Sequence, residues 1–255
     1  MLFLASGARL EPAEFTFNNG TEVSTLDPAT VTGVPEGRVL RAIFEGLVIK
    51  HPRTLAPEPG VAESWEISED GLTYTFHLRS DALWSDGHPV TSEDFLYSFE
   101  RFLNPRTAAY YAYQLWYVRG ARAYTEQVDE DGAPRNDFSS VGIHTEGPET
   151  LVIELDAPTP FFVDLMGFYP LFPVSRRNIE SAQERWPDSW EIRWLRPENI
   201  ITNGPYTVLY RRVNDRIRLV KTELHWEAHN EPLAARALSG SRRAPTLPPP
   251  PLTAG

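Results

Sequence analysis

The chain has 255 residues, 24 Lys+Arg against 35 Asp+Glu, a formal charge of −11 and a pI of about 5.1. Such acidity argues against a role that depends on releasing counterions from nucleic-acid phosphates. The absence of cysteine excludes disulfides, thiolate zinc sites, iron-sulfur clusters and cysteine nucleophiles in one step. With 41% hydrophobic and 12% aromatic residues, there is ample material for a buried core.

Residues 1–14 read as an N-terminal stub. Leu2-Phe-Leu-Ala5 has no basic lead and is too short for a full apolar segment, so it is at most the remnant of a signal peptide. Pro35 suits a first helical turn, and Val39, Leu40, Ile43, Phe44 and Leu47 recur at helical spacing up to Gly46, which predicts a helix over 35–46. Leu72, Tyr74, Phe76 and Leu78 alternate with Thr73, Thr75 and His77 as in a half-buried strand. After a turn at Trp84–Gly87, Thr91 and Asp94 form a capping pair ahead of the stripe Phe95, Phe99 and Phe102, which Asn104-Pro105 stops. Residues 150–155 read as a strand, Pro160 and Ser175 open helices, and Asn214-Asp215 joins strands 206–210 and 216–220 as a tight hairpin. Residues 231–255 carry Arg236, Arg242 and Arg243 against Glu231 alone and end in Pro248–Pro251, which predicts a disordered, Pro-rich tail.

The run Gly60-Val-Ala-Glu-Ser-Trp65, continuing through Asp70-Gly-Leu-Thr-Tyr-Thr-Phe76 to Trp84-Ser-Asp-Gly87 and Phe95, resembles a signature of extracytoplasmic solute-binding proteins of oligopeptide and dipeptide ABC importers, bacterial solute-binding protein family 5. Asn18–Pro28, Leu40–Leu47 and Ile201-Thr-Asn-Gly-Pro-Tyr206 with the following Val213-Asn-Asp-Arg-Ile217 resemble the same family in the same order, so the resemblance covers roughly residues 15–229.

The resemblance implies an α/β fold: a first lobe like that of a type II periplasmic binding protein, with an inserted β-rich subdomain and the second lobe missing. The principal subdomain would be discontinuous, 15–50 and 165–230, with 51–164 inserted. The implied function is noncatalytic binding of extended oligopeptides for delivery to a membrane ABC permease, in a periplasmic or extracytoplasmic setting, by a chain truncated to its amino-terminal half. Neither a cofactor nor a metal is implied. By position, the ligand-facing residues would be Glu22, Val23, Tyr111, Tyr169 and Asn203. The chemistry suits such a ligand, because an extended segment such as 20–25 can satisfy peptide backbone groups without reading side chains. Tyrosine adds an apolar face with a polar tip. An open half-site would bind weakly and favour self-association through the exposed cleft.

Other chemistries are less well supported by the residues. His225 and His229 have helical i, i+4 spacing, but not the order of a zinc protease motif, and no nucleophile elbow, phosphate loop or dinucleotide fingerprint occurs. The alternatives are an acidic enzyme such as a glycoside hydrolase, using a carboxylate pair and an aromatic platform, or an inactive truncated gene product.

Overall fold

The computed structural model describes residues 15–228 and, as backbone, residues 236–239. In chain order the elements are β1 (Phe15–Asn18), α1 (Val34–Ile43), β2 (Val48–Lys50), β3 (Pro57–Pro59), β4 (Ala62–Ile67), β5 (Thr73–Leu78), α2 (Ser92–Leu103), α3 (Ala121–Glu126), β6 (Ile143–Thr145), β7 (Thr150–Glu154), α4 (Phe162–Leu165), α5 (Arg176–Arg185), α6 (Trp190–Arg193), β8 (Tyr206–Arg212), β9 (Arg216–Lys221) and β10 (Arg236–Ser239). One four-stranded sheet has the order β1-β10-β9-β8, in which only β1 and β10 run parallel. A second, antiparallel sheet has the order β4-β5-β7-β6, and β2 pairs with β3 as a separate ribbon. The first sheet thus draws on both ends of the described chain and the second on its middle.

Local chemistry accounts for most of these elements. On β5 the apolar residues Tyr74, Phe76 and Leu78 are buried while their neighbours are half-exposed, as period-2 patterning requires. The α2 terminus carries the full capping box. Asp94 accepts from the Thr91 backbone N–H at 3.0 Å, and the same carboxylate accepts from Trp84 Nε1 at 3.1 Å, which ties the preceding turn to the helix. Phe95, Phe99 and Phe102 then enter the same buried cluster as Phe76, Leu151 and Ile153.

Two expectations change. Helix α1 ends at Ile43, short of Gly46, because Phe44 is already extended (φ −129°, ψ 156°) and the Glu45 backbone bonds to a side chain 158 residues away. Gly46 serves packing instead of a helix cap: a Cβ there would lie 2.7 Å from the Phe172 ring and 2.8 Å from the Met166 carbonyl. Within the segment expected to be a disordered tail, residues 236–239 form β10, which joins β1 to β9. The rest of 231–255 lies outside the described residues, as does the stub 1–14.

Tyr124 on α3 gives the fold a pH dependence. Its hydroxyl is pushed up to about 12, first by burial and then by Glu100 and Asp137. Above about pH 10 an unfolded chain would lose this proton while the folded chain keeps it, so ionisation favours unfolding across the window up to about 12. The urea midpoint should therefore fall between these pH values, and Tyr124→Phe should flatten that fall. An identical slope in the variant would show that Tyr124 does not contribute to it.

Candidate functional site

The first turn of α1 is the focus around which the expected site residues gather. Pro35 is the second residue of that turn, and the buried carboxylate of Glu36 sits where the helix dipole favours negative charge. Glu36 Oε1 accepts from the Ser24 backbone N–H and from Ser24 Oγ, each at 2.8 Å. Asn19 Nδ2 donates to the Pro35 carbonyl at 3.0 Å, and Arg38 donates to the Asn19 carbonyl at 3.2 Å. These bonds pin the segment 19–24, which bends at Gly20 and Thr21, along the helix start outside any sheet.

Tyr111 and Tyr169 come to the same place from distant parts of the chain. The Tyr111 hydroxyl donates to the Thr32 carbonyl and the Tyr169 hydroxyl to the Gly33 carbonyl, both at 3.1 Å. Phe168 lies between them, edge-on to Tyr111 with centroids 5.2 Å apart and 5.1 Å from Tyr169. The Tyr169 ring rests directly on α1, since a Cβ at Gly37 would come within 2.7 Å of it. Burial, then the nearby Tyr111, push the Tyr169 hydroxyl above its ordinary range, so it stays a neutral donor.

Glu22 and Val23 lie on the pinned strip, but their side chains turn to the protein. Glu22 accepts from the Asn214 backbone N–H at 2.8 Å and stands 3.9 Å from Arg211, while the buried Val23 gives its carbonyl to Arg211. Asn203 stands apart from the other four. Only 5% exposed, it accepts from the Glu45 backbone N–H at 3.0 Å and donates to the Glu45 carbonyl at 2.9 Å. It therefore sits past the C-terminal end of α1, a ten-residue helix about 15 Å long, whereas the tyrosine hydroxyls bond carbonyls just before its N-terminal end.

Beside Asn203 is a polar cluster that the sequence did not disclose. Glu45, itself 5% exposed, bonds His225 Nε2 at 3.0 Å and accepts from Trp226 Nε1 at 2.8 Å. The Arg79 guanidinium stacks 3.5 Å from the Trp226 ring centre. His225, weighed above as half of a metal pair, is thus committed to a carboxylate, and His229 lies outside the described residues. The only hint in the sequence was the occurrence of Glu45 and of His225-Trp226 in or next to the family-like segments.

Two cavities bear on this arrangement. One of about 530 Å³ lies over the buried Asp27–Arg101 ion pair, between α2 and the 190–195 region, and none of the five expected residues lines it. The other, about 320 Å³, adjoins the tyrosine pair through Phe168 and contains Arg41 and Gln114.

The pinned segment 19–24, the two anchored tyrosines and the adjoining cavity are all carried on an α/β scaffold. The chain belongs to the family described as bacterial extracellular solute-binding proteins, family 5 middle, whose model matches residues 56–239. It is 41% identical over 209 residues to the periplasmic oligopeptide-binding protein OppA of Escherichia coli strain K12, an alignment covering 82% of this chain and 36% of the relative. To the periplasmic murein peptide-binding protein MppA of the same organism it is 37% identical over 206 residues, covering 81% and 35%. Among solved structures, the E. coli murein tripeptide-binding protein MppA superposes with a TM-score of 0.79 at 34% identity, covering 91% of this chain and 42% of that one. Haemophilus influenzae OppA in complex with the peptide RPPGFSPFR gives 0.78 at 31% identity, covering 91% and 43%. The chain therefore spans little more than a third of the length of the curated relatives it matches.

Proposed function

We infer that this chain forms the first lobe of an extracytoplasmic binding protein for extended oligopeptides, which a membrane ABC permease would receive. The observation that carries this reading is the convergence of Tyr111 and Tyr169 on two consecutive carbonyls beside the pinned strip 19–24. The strip offers backbone groups to a peptide, and the rings offer amphipathic faces. On this reading Tyr111 touches the ligand, Tyr169, only 6% exposed, meets it at no more than an edge, Glu22 and Val23 contribute their backbone, and Asn203 is a support that shapes the far end of α1. The principal subdomain is 15–50 with 165–230, and the inserted subdomain 51–164 carries Tyr111 to the cleft wall. Members of the family are solute-binding proteins, which supports a noncatalytic role. The exposed Tyr110, Tyr113 and Phe161 near the cleft would promote self-association at high concentration.

One lobe can satisfy only part of a peptide's hydrogen-bonding groups, so affinity should be no tighter than about millimolar, or about 4 kcal/mol. An NMR titration of the 255-residue chain with a tri- to pentapeptide pool should give saturable shifts at Tyr111, Tyr169 and residues 22–24, with no product formed. Hydrolysis of peptide or glycan, or saturation with none of these residues shifting, would overturn the reading. A micromolar isotherm from monomeric protein would mean that residues 15–230 hold a complete site.

A further inference from the structure

The 320 Å³ cavity next to the tyrosine pair is lined by two cations, Arg41 and Lys50, and by one anion, Asp164, which Lys50 takes. Its apolar wall includes Phe161 and Phe168, and its opposite rim carries Lys50, already neutralised by an ion pair to Asp164. Arg41 projects from the last turn of α1 over the face of Tyr169, 5.0 Å from the ring centroid. Among the described residues no carboxylate, carbonyl or hydroxyl oxygen accepts a hydrogen bond from its guanidinium. The half-buried Gln114 amide lines the same cavity and is equally unpartnered among the described residues.

The electrostatics point the same way. Arg101, Arg122, Arg176 and Arg216 each bond a neighbouring carboxylate, and each is held above the ordinary arginine value. Arg41 is pushed below it, because the surrounding protein removes water from the guanidinium and only the Tyr169 hydroxyl opposes that loss. Arg41 remains solvent-reachable, so a ligand can approach it. A carboxylate would restore the missing partner through a bidentate, charge-assisted pair. Phe161 and Phe168 would cover whatever apolar group carries that carboxylate, and Gln114 can donate to a second oxygen.

We propose that this cavity is an anion subsite, formed by Arg41 and Gln114 against Phe161 and Phe168, which takes a carboxylate borne on an apolar group. On the peptide-binding reading above, on which this selectivity rests, it favours ligands that present either a free C-terminus or an acidic side chain there.

The test uses the whole chain with N-acetyl-L-leucine and N-acetyl-L-leucinamide, followed by NMR at the Gln114 side-chain amide and at the Gly167 and Phe168 backbone amides. The acid should saturate in the millimolar range and the amide should bind about tenfold more weakly or worse. Arg41→Gln should reduce acid binding to the level of the amide, while Arg41→Lys should retain part of it. Arg41 is exposed, so both variants should keep the parent's amide spectrum elsewhere. Equal binding of acid and amide, or acid binding indifferent to Arg41→Gln, would overturn the proposal. Two peptide pairs then separate the sources: Ala-Leu-Leu against its C-terminal amide, and Ala-Glu-Leu-amide against Ala-Gln-Leu-amide. Preference within the first pair assigns the subsite to the terminus, and within the second to an acidic side chain. If neither pair discriminates while N-acetyl-L-leucine keeps its Arg41-dependent binding, the subsite stands and the peptide reading fails.

Discussion

Phe76→Ala is expected to cost about 3–5 kcal/mol of stability, the usual range for emptying an aromatic site in a packed core. Phe76 has no solvent exposure and lies on the central strand β5, opposite Trp65 on β4 and Leu151 on β7. Because strands flank it on both sides, the sheet cannot collapse into the vacated volume, which places the cost toward the upper end. Against a total stability of about 5–15 kcal/mol, such a loss would leave a marginal protein, with a melting temperature lower by about 6–20 °C. Chemical and thermal denaturation would measure both quantities. A fully buried ring cannot touch a peptide, so the folded fraction of the variant should keep the parent's half-saturation. A well-folded variant unable to bind would place this face of β5 in the cleft.

Segments in which neighbours in sequence decide the outcome were legible in the residues. The alternation of 72–78 became β5, and Thr91 with Asp94 capped α2 ahead of its phenylalanine stripe. Asn214 took the left-handed conformation (φ 60°) that its turn requires. Elements decided by distant partners were not legible. Nothing near Gly46 reveals that α1 stops at Ile43, because the cause is the Asn203 amide gripping the Glu45 backbone from 158 residues away. Nothing near Gly37 reveals that the Tyr169 ring lies against it, within 2.7 Å of where a Cβ would stand. The candidate site divides along the same line. Glu22, Val23, Tyr111, Tyr169 and Asn203 were chosen by resemblance, whereas Arg41 and Gln114 carry no spacing signal and meet only through the folding of α1 against the 111–117 and 161–168 segments.

Glu45→Gln should loosen the segment 222–228. The Glu227 backbone N–H donates to His225 Nδ1 at 3.3 Å, which leaves Nε2 to carry the imidazole proton and donate it to Glu45 Oε2. Both carboxylate oxygens are thus occupied by N–H donors, one from His225 and one from Trp226. Five stretches of chain meet around this point, at Glu45, Gly60, Arg79, Asn203 and 221–228. Asn203 holds the Glu45 backbone, Arg79 stacks on Trp226 while donating to the Gly60 carbonyl at 2.7 Å, and Lys221 Nζ donates to the Ala228 carbonyl at 2.8 Å. A glutamine is nearly isosteric, but only its oxygen accepts, and its amide nitrogen would set a donor against a donor. One buried N–H then loses its partner, at about 1–3 kcal/mol, and the remaining bond loses its charge assistance. The effect should be local, because β8 and β9 keep their own ladder. Hydrogen exchange should quicken at Thr222 and Ala228, whose N–H groups bond the Pro205 and His225 carbonyls, well before it changes in β8 and β9. If exchange at 222–228 in Glu45→Gln matches the parent, the carboxylate does not anchor this segment, and the Arg79 stack on Trp226 and the Lys221 bond to the Ala228 carbonyl hold it instead.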